Sequence, residues 1–310
     1  MKKILLYYKY VEIVEPQLIV EWQQELCQSL GLKGRILIAH EGINGTLEGS
    51  ADATQQYIKA MNEAPLFAHI DFKESDGEDG VDYFPRLRIA LRDEIVGLGE
   101  KAQEVTVQST GQHLTPEQAH ELMANPPQDL IILDTRNDYE SRVGTFKNAI
   151  IPDIRNFRDF PDYIDQHLDE FKDKEVLMFC TGGVRCERAT AYLNVKGVAR
   201  NVMQIEGGIH RYVEKFPDGF FRGKNYVFDN RVTVKVNDDI LGSCDLCGVS
   251  CDEYTNCLNA SCNKLFISCT PCLKKFENAC GEVCLQLIKE HKVALRPPVK
   301  TLIQRNRRFE

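Results

Sequence analysis

The chain contains 310 residues, 27% of them charged, and its formal net charge at pH 7 is −8. This length is sufficient for two or three domains with hydrophobic cores of their own. No stretch approaches the ~20 consecutive apolar residues that a membrane-spanning helix needs, and residues 1–3 lead into a strand-like run rather than a signal peptide. These features exclude a helical membrane protein and predict a cytoplasmic location.

Residues 1–100 are predicted to form a first domain in which strand-like and helix-like patterns alternate. Helices are expected to begin at Pro16 and after Ser50, whose side chain can cap the first turn. Strands are predicted at residues 4–11, 35–39, 46–48, 67–72 and 87–91, with a mobile acidic segment at residues 74–82. We interpret the order as βαββαβ, which is typical of a ferredoxin-like or acylphosphatase-like α+β domain. His40 and Glu41 are interpreted as turn residues, with a substrate contact as the alternative.

Residues 110–222 are predicted to form an α/β domain. A helix begins at Thr115-Pro116-Glu117-Gln118, which combines an N-cap residue, a proline in the first turn and a capping-box glutamine. Strands are predicted at residues 130–133, 149–151, 175–179 and 201–205, with helical segments between them. This alternation predicts a parallel sheet that is covered by helices on both faces.

Residues 223–310 are predicted to form a small third region, in which a hairpin of residues 226–228 and 232–236 leads into a cysteine-rich segment. An irregular tail is expected to begin at Pro297, and residues 286–310 contain seven basic and two acidic side chains. A basic tail of this kind is compatible with nucleic-acid binding or with simple solvation.

Cys180 ends an apolar run and is followed by a loop and a helix-like segment. The backbone N–H groups of the loop can turn inward and bind an anion, and the helix adds the positive end of its dipole. The loop consists of Thr181, Gly182, Gly183, Val184 and Arg185. A thiol at the mouth of such a loop ionises more readily than free cysteine, whose pKa is about 8.5. Cys180 is therefore the predicted catalytic nucleophile, and the alternative is an inert buried cysteine.

A second apolar strand ends in Asp134 and Arg136. In a parallel sheet both strand ends open on the same edge, where such folds bind ligands. We interpret Asp134 and Arg136 as residues that brace the loop. Arg185 either adds positive charge to the site or ties the loop down by hydrogen bonds. Cys186 is either a thiol that resolves a persulfide on Cys180 or an ordinary residue of the first helical turn.

Several motifs of the second domain carry a resemblance. They are the six-residue loop from Cys180 to Arg185, the Leu133-Asp134-Thr135-Arg136 strand end, Glu140, Gly144 and the Glu206-Gly207-Gly208-Ile209 turn. Together they make residues 112–220 resemble a rhodanese domain. The loop length argues against a Cys-x5-Arg phosphatase, whose loop would be one residue longer. The chain departs from the rhodanese pattern at Thr145, where histidine is common, and at Thr181, where many sulfurtransferases carry arginine. The second departure argues against efficient thiosulfate turnover.

A narrower resemblance extends over the whole chain. It rests on residues 41–46 (Glu-Gly-Ile-Asn-Gly-Thr), the extended loop 180–187, residues 227–232 (Val-Phe-Asp-Asn-Arg-Val) and the cysteine-rich region. These segments resemble the bacterial rhodanese-type tRNA uridine-34 hydroxylases. The resemblance implies tRNA as the partner, molecular oxygen as the co-substrate, 5-hydroxyuridine as the product and a requirement for Cys180. One use of the thiolate is attack at carbon 6 of the pyrimidine, which makes carbon 5 electron-rich toward an oxidant.

Nine of the twelve cysteines lie between residues 244 and 284. The Cys-x2-Cys pairs Cys244/Cys247 and Cys269/Cys272 begin 25 residues apart and are the predicted ligands of a structural zinc ion, which takes four thiolates from two such pairs. Disulfides and an iron–sulfur cluster are the alternatives. A second site with one thiol to spare could come from Cys251, Cys257, Cys262, Cys280 and Cys284.

Three functions are compatible with these motifs. The favoured function is tRNA hydroxylation, and the second is a sulfurtransferase that passes sulfane sulfur through a persulfide on Cys180. The third is a zinc-bearing nucleic-acid-binding or protein-binding module in which the rhodanese-like domain is only a scaffold. The intact nucleophile loop disfavours the third function, whereas Thr181 and the two flanking domains weaken the second.

Overall fold

The computed structural model describes residues 1–102 and 105–296, so the predicted basic tail from Pro297 onward lies outside the described residues. The described part is a mixed α/β structure with three sheets of three or more strands. None of its helices combines the length and the apolar character that are needed to traverse a bilayer.

The N-terminal domain is a five-stranded sheet with two helices against one face. Its elements are β1 (Lys2–Tyr10), α1 (Pro16–Ser29), β2 (Lys33–Ala39), β3 (Gly42–Ser50), α2 (Ala51–Glu63), β4 (Lys73–Gly77) and β5 (Leu87–Leu91). The spatial order is β4-β1-β3-β2-β5, in which only β2 and β5 are parallel. The Ser50 side chain caps α2 as predicted, because its oxygen accepts the N–H of Ala53 at 3.1 Å.

The predicted strand at residues 67–72 is wrong. A short 3-10 helix, Pro65–Phe67, takes the start of this stretch, and Phe67 stacks on Trp22 in the core with 5.8 Å between the ring centroids. The strand is β4, which overlaps the acidic segment at residues 74–77 and pairs antiparallel with β1. Its side chains are mainly polar, so apolar alternation could not reveal it. With β5 at the opposite edge of the sheet, the complete order is βαββαββ, which extends the order βαββαβ by one strand.

The central domain contains the predicted parallel sheet. Its elements are β6 (Gln112–Leu114), α3 (Pro116–Ala124), β7 (Leu130–Asp134), α4 (Asp138–Ser141), β8 (Gly144–Phe146), α5 (Phe160–Gln166), α6 (Leu168–Phe171), β9 (Glu175–Phe179), α7 (Val184–Lys196), β10 (Asn201–Ile205) and α8 (Gly208–Lys215). The parallel order is β6-β10-β9-β7. The Thr115 capping box forms as predicted, with both reciprocal hydrogen bonds present.

The predicted strand at residues 149–151 is also wrong. Ile150 forms only an isolated parallel bridge with Leu133. The fourth strand of the sheet is β6 at the opposite edge, which is only three residues long and immediately precedes a helix cap. Such a short run carries too little periodicity for a sequence pattern to identify it.

The third region joins the central domain through a shared sheet. Its elements are β11 (Phe221–Tyr226), β12 (Thr233–Lys235), β13 (Tyr254–Asn256), β14 (Leu265–Ile267), α9 (Thr270–Lys275) and α10 (Glu282–Lys289). β11 pairs antiparallel with β8 on one side and with β12 on the other, in the spatial order β12-β11-β8. The hairpin is therefore present, but its first strand is Phe221–Tyr226, so the predicted strand at residues 226–228 overlaps it at Tyr226 alone.

Candidate active site and cysteine clusters

Cys180 follows β9 directly and lies at the carboxyl edge of the parallel sheet, between that strand and the first turn of α7. The backbone N–H of Gly183 donates a hydrogen bond to the sulfur at 3.1 Å. The side chain has no exposed surface, so the thiol lies at the floor of the loop and not at its mouth, as the sequence had suggested. The loop amides nevertheless point at the sulfur, which is the arrangement that stabilises an anion there.

The surroundings of Cys180 favour its thiolate. Burial acts to raise the pKa of this thiol. A hydrogen bond from the Cys186 thiol, the positive charge of Arg185 and the backbone N–H groups of Arg185 and Gly183 outweigh burial, and the pKa falls to about 5. Burial and the proximity of Cys180 raise the pKa of Cys186 well above its usual value. At neutral pH the pair therefore holds one negative charge on Cys180 and a proton on Cys186.

The N-terminal domain covers the loop, which explains both the burial of the thiol and the two glycines. A Cβ atom at Gly182 would lie 2.9 Å from the Leu6 side chain, and one at Gly183 would lie 2.8 Å from the Tyr8 hydroxyl. Gly183 also has a φ of +104°, which side chains other than glycine rarely adopt. Strand β1 thus reaches the loop only because no side chain intervenes.

Arg185 is tied into the loop by a buried carboxylate. Its two terminal nitrogens donate to the two oxygens of Glu140 at 2.5 and 2.7 Å, and Glu140 is fully buried. The Thr181 hydroxyl donates to the same carboxylate at 3.4 Å. Arg185 therefore fills both roles that the sequence left open: its hydrogen bonds hold the loop, and its charge lowers the pKa of Cys180.

Asp134 and Arg136 form a second buried pair beneath the loop. The Arg136 guanidinium donates to the two oxygens of Asp134 at 2.9 and 2.7 Å and to the carbonyl of Gly144 at 2.6 Å. The hydroxyls of Ser141 and Thr145 also donate to Asp134. These contacts connect the end of β7 to β8, and none of these hydrogen bonds involves the Cys180 sulfur.

A cavity of about 810 Å³ opens above the loop between all three parts of the chain. Tyr8, Leu37 and Asn44 line it from the N-terminal sheet, Cys180 from the central domain, and Phe228 from the third region. The Phe228 ring is 55% exposed and lies 5.6 Å from the Arg185 guanidinium. The volume is within the range of small-ligand sites.

Two consecutive residues of α7 hold the N-terminal domain against the central domain. The Arg188 guanidinium donates to Glu41 at 2.8 Å and to Glu94 at 2.9 Å. Glu187 accepts the Tyr8 hydroxyl at 2.9 Å. The interpretation of Glu41 as a simple turn residue missed this contact, because nothing in the sequence indicates which partner a carboxylate at a turn will meet.

The nine C-terminal cysteines form two groups of four, with one cysteine left over. In each group all four sulfur atoms lie within 4.8 Å of one another, and the groups are Cys244, Cys247, Cys269 and Cys272 (tetrad 1) and Cys257, Cys262, Cys280 and Cys284 (tetrad 2). None of the described cysteines is in a disulfide. Four sulfurs in such a group are a donor set that can hold a metal ion. Cys251 is the spare thiol that the sequence analysis anticipated.

Family models match three consecutive parts of the chain. Residues 2–95 match the UPF0176 acylphosphatase like domain, residues 115–215 match the Rhodanese-like domain, and residues 222–285 match the model described as Rhodanase C-terminal. Among solved structures, a rhodanese-like domain from Anabaena sp. is 17% identical, covers 36% of this chain and 78% of that chain, and has a TM-score of 0.30. The three family models follow one another in the order of the three described regions.

Curated relatives match nearly the full length. A tRNA uridine(34) hydroxylase of Corynebacterium diphtheriae is 40% identical over 91% of this chain and 93% of its own length. The tRNA uridine(34) hydroxylase of Bacillus velezensis is 40% identical over 93% of this chain and 91% of its own. The chain belongs to the tRNA uridine(34) hydroxylase family. The resemblance read from the sequence motifs is thereby confirmed.

The motifs that carried the family resemblance lie mostly around the cavity. Asn44, Gly45 and Thr46 line it from one side, and residues 227–229 line it from another, with the Cys180 loop between them. Segments that are far apart in the sequence thus meet at one site. The cysteine tetrads stand apart from this site, since no cysteine of either tetrad lines the cavity.

Proposed function

We propose that this protein hydroxylates carbon 5 of uridine 34 in tRNA, with Cys180 as the catalytic nucleophile. The observation that carries the proposal is the ionised, amide-stabilised thiol at the floor of a nucleoside-sized cavity that all three regions enclose. Relatives that match about nine-tenths of the chain are named for this reaction. The proposal includes a cytoplasmic location, which a tRNA substrate supports.

In the proposed reaction the Cys180 thiolate adds to carbon 6 of the uracil ring, and its electron pair makes carbon 5 nucleophilic. Carbon 5 takes one atom of molecular oxygen. Two electrons and two protons from a thiol reductant convert the second oxygen atom to water, and two thiols become one disulfide. Loss of the proton from carbon 5 then expels the thiolate and restores the ring double bond, leaving 5-hydroxyuridine.

The loop contributes to these reaction steps by stabilising the anionic form of the Cys180 sulfur, both before the substrate binds and when the thiolate leaves carbon 6. The N–H groups of Gly183 and Arg185 and the N-terminus of α7 are fixed by the backbone, so they need no reorganisation during the reaction. Phe228 offers an exposed aromatic face at the cavity wall on which the uracil ring stacks. Asp134, Arg136 and Glu140 position the loop without touching the substrate.

We also propose that each cysteine tetrad holds one structural zinc ion. With zinc–sulfur bonds of about 2.3 Å, tetrahedral ligation requires sulfur atoms about 3.8 Å apart. The Cys247–Cys269 separation is 3.7 Å, and the Cys262–Cys280 and Cys280–Cys284 separations are 3.6 and 3.9 Å. The donor sets therefore fit zinc. The two ions would hold together β13, β14 and the two short helices that follow, and they have no part in the proposed reaction at Cys180.

The direct test is hydroxylation of tRNA by the purified protein under isotopically labelled oxygen gas, with a thiol reductant and nucleoside mass spectrometry. We expect labelled 5-hydroxyuridine with the wild type and none with Cys180→Ser. Cys251→Ser is the matched control, because it changes another buried cysteine that is outside the cavity and both tetrads.

Two results would decide against the proposal. Full hydroxylation by Cys180→Ser would remove the nucleophile from the mechanism. Rapid, Cys180-dependent sulfur transfer from thiosulfate without any tRNA product would instead favour the sulfurtransferase.

A further inference from the structure

Three arginines form a cluster on the open face of the N-terminal sheet. Arg35 on β2 lies directly beside Arg88 on β5 in the parallel register, and Arg92 follows two positions beyond Ala90 on the same side. The neighbouring residues Ile36 and Ile38 point the other way, into the core beneath α1 and α2. We call Arg35, Arg88 and Arg92 the arginine cluster.

Within the described ranges, no carboxylate neutralises the charges of the arginine cluster. No ion pair joins any of the three guanidinium groups to a carboxylate among residues 1–102 and 105–296. The only side-chain hydrogen bond found there for the cluster is from Arg92 to the carbonyl of Leu91 at 2.9 Å. Glu94, a nearby acid, is already bound by Arg188. Burial and then the charges of Arg88 and Arg92 lower the pKa of Arg35, which reports their mutual repulsion.

The arginine cluster borders the candidate active site. Arg35 and Arg92 line the same cavity as Cys180, and all three arginines are exposed. The cluster is unusual in a chain whose formal net charge is −8, since an anionic protein repels a polyanion except where basic residues are concentrated. Arginine also suits phosphate geometrically, because its planar fork donates two parallel hydrogen bonds to the oxygens.

We propose that the arginine cluster binds phosphodiester groups of the tRNA strand on either side of nucleotide 34 and thereby directs that nucleotide into the cavity. A phosphate between the guanidinium groups relieves their repulsion and supplies the negative charge that the described residues do not. This inference rests on the proposed function, because it assigns a binding surface for the same substrate. It predicts that these contacts contribute affinity for tRNA, whereas Cys180 carries out the reaction.

The test measures the affinity for full-length tRNA at several salt concentrations. Each phosphate contact on a single strand contributes about 0.7 to the slope of log affinity against log salt. Replacing Arg35, Arg88 and Arg92 together by alanine should lower that slope by about 2. By the same relation the affinity at 0.15 M salt should fall on the order of fifty-fold.

Two control variants separate this surface from general effects. The Arg35→Lys, Arg88→Lys, Arg92→Lys variant keeps the three charges and should retain most of the salt slope. The Lys147→Ala, Lys172→Ala variant removes two exposed charges elsewhere in the central domain and should leave the slope unchanged. Circular dichroism and the metal content of each variant establish that the folds are equal.

The outcomes distinguish the inference from the function on which it rests. If the triple alanine variant keeps the wild-type salt slope while the wild type hydroxylates tRNA, the arginine cluster is not the binding surface and the proposed function stands. If the wild type neither binds nor hydroxylates tRNA, both proposals are overturned. A salt slope that is reduced in the triple alanine variant and retained in the triple lysine variant supports the arginine cluster as the phosphate-binding surface.

Discussion

The cysteine at the end of β9 and the cysteines of the tetrads show two ways in which one protein can hold a thiolate. Cys180 has a single neighbouring thiol, Cys186, which donates a hydrogen bond to it, and backbone N–H groups and one paired arginine also stabilise its thiolate. In each tetrad four sulfurs lie within 4.8 Å of one another, where thiolates repel. The first site therefore stabilises a single thiolate without a cation, whereas each tetrad is a donor set that can hold a metal ion.

The ionisation of tetrad 1 shows why backbone groups alone are insufficient there. Burial acts to raise the pKa of Cys244. Hydrogen bonds from the backbone N–H groups of Cys269, Leu246 and Cys247 outweigh burial and lower this pKa to about 6. Contact with Cys247, followed by burial, raises the pKa of Cys272 to about 12. Ionisation of one cysteine thus disfavours ionisation of its neighbour. A metal ion could stabilise four thiolates together, which is the difference that we expect between the tetrads and Cys180.

The largest expected effect is that of metal removal. Apparent binding free energies of structural zinc are about 10–16 kcal/mol in small domains, so chelation should unfold the region around β13, β14, α9 and α10. We expect native mass spectrometry to find two zinc ions in the wild type and one in Cys269→Ser. Cys251→Ser should retain both ions, because Cys251 belongs to neither tetrad. A metal-free protein with the same stability would show that the tetrads are ordinary thiols.

The next largest effect is a loss of stability when the ion pair between Arg185 and Glu140 is broken. Glu140→Gln leaves the buried Arg185 charge without its partner, which should lower the free energy of unfolding by about 3–5 kcal/mol. Chemical denaturation of the central domain measures this loss. Glu121→Gln is the control, because Glu121 is an exposed carboxylate on α3 and should change stability little. An equal, small effect of both substitutions would mean that the loop does not depend on this pair.

The pH dependence of hydroxylation tests the ionisation of Cys180 itself. Its pKa of about 5 keeps the thiolate form above that pH, and protonation removes it below. Accordingly kcat/KM should be flat from about pH 6 to 8 and fall about tenfold per unit below pH 5. An acid limb near 8.5, the value of a free thiol, would contradict the role assigned to the loop.

The smallest effect belongs to the contact between domains. Tyr8→Phe removes the hydroxyl that donates to Glu187 at 2.9 Å, and it should lower the stability of the docked N-terminal domain by about 1–2 kcal/mol. Limited proteolysis across a denaturant series reports the undocking. Tyr163→Phe is the matched control, because no hydrogen bond from the Tyr163 hydroxyl is found within the described ranges. Unchanged protection of Tyr8→Phe would show that other contacts, such as those of Arg188, suffice.

The sequence was most informative where the signal is local. The Thr115 capping box, the Ser50 cap and the apolar runs of β7 and β9 depend on neighbouring residues, so their patterns predicted the elements. It failed at residues 67–72 and 149–151, where apolar residues suggested strands. Whether an extended segment becomes a strand depends on a partner with free backbone groups, and the sequence of the segment does not contain that information.

Residue types at fixed short spacings were sufficient to predict the loop after Cys180, the two Cys-x2-Cys pairs and the family. The fold settles how far Cys180 is buried, which carboxylate Arg185 meets and how nine cysteines divide into two groups of four with one left over. It also placed Arg35 beside Arg88, 53 positions later in the chain, at the edge of the cavity. Long-range pairing fixes these properties, since a side chain's charge and burial depend on neighbours that the chain brings together only when it folds.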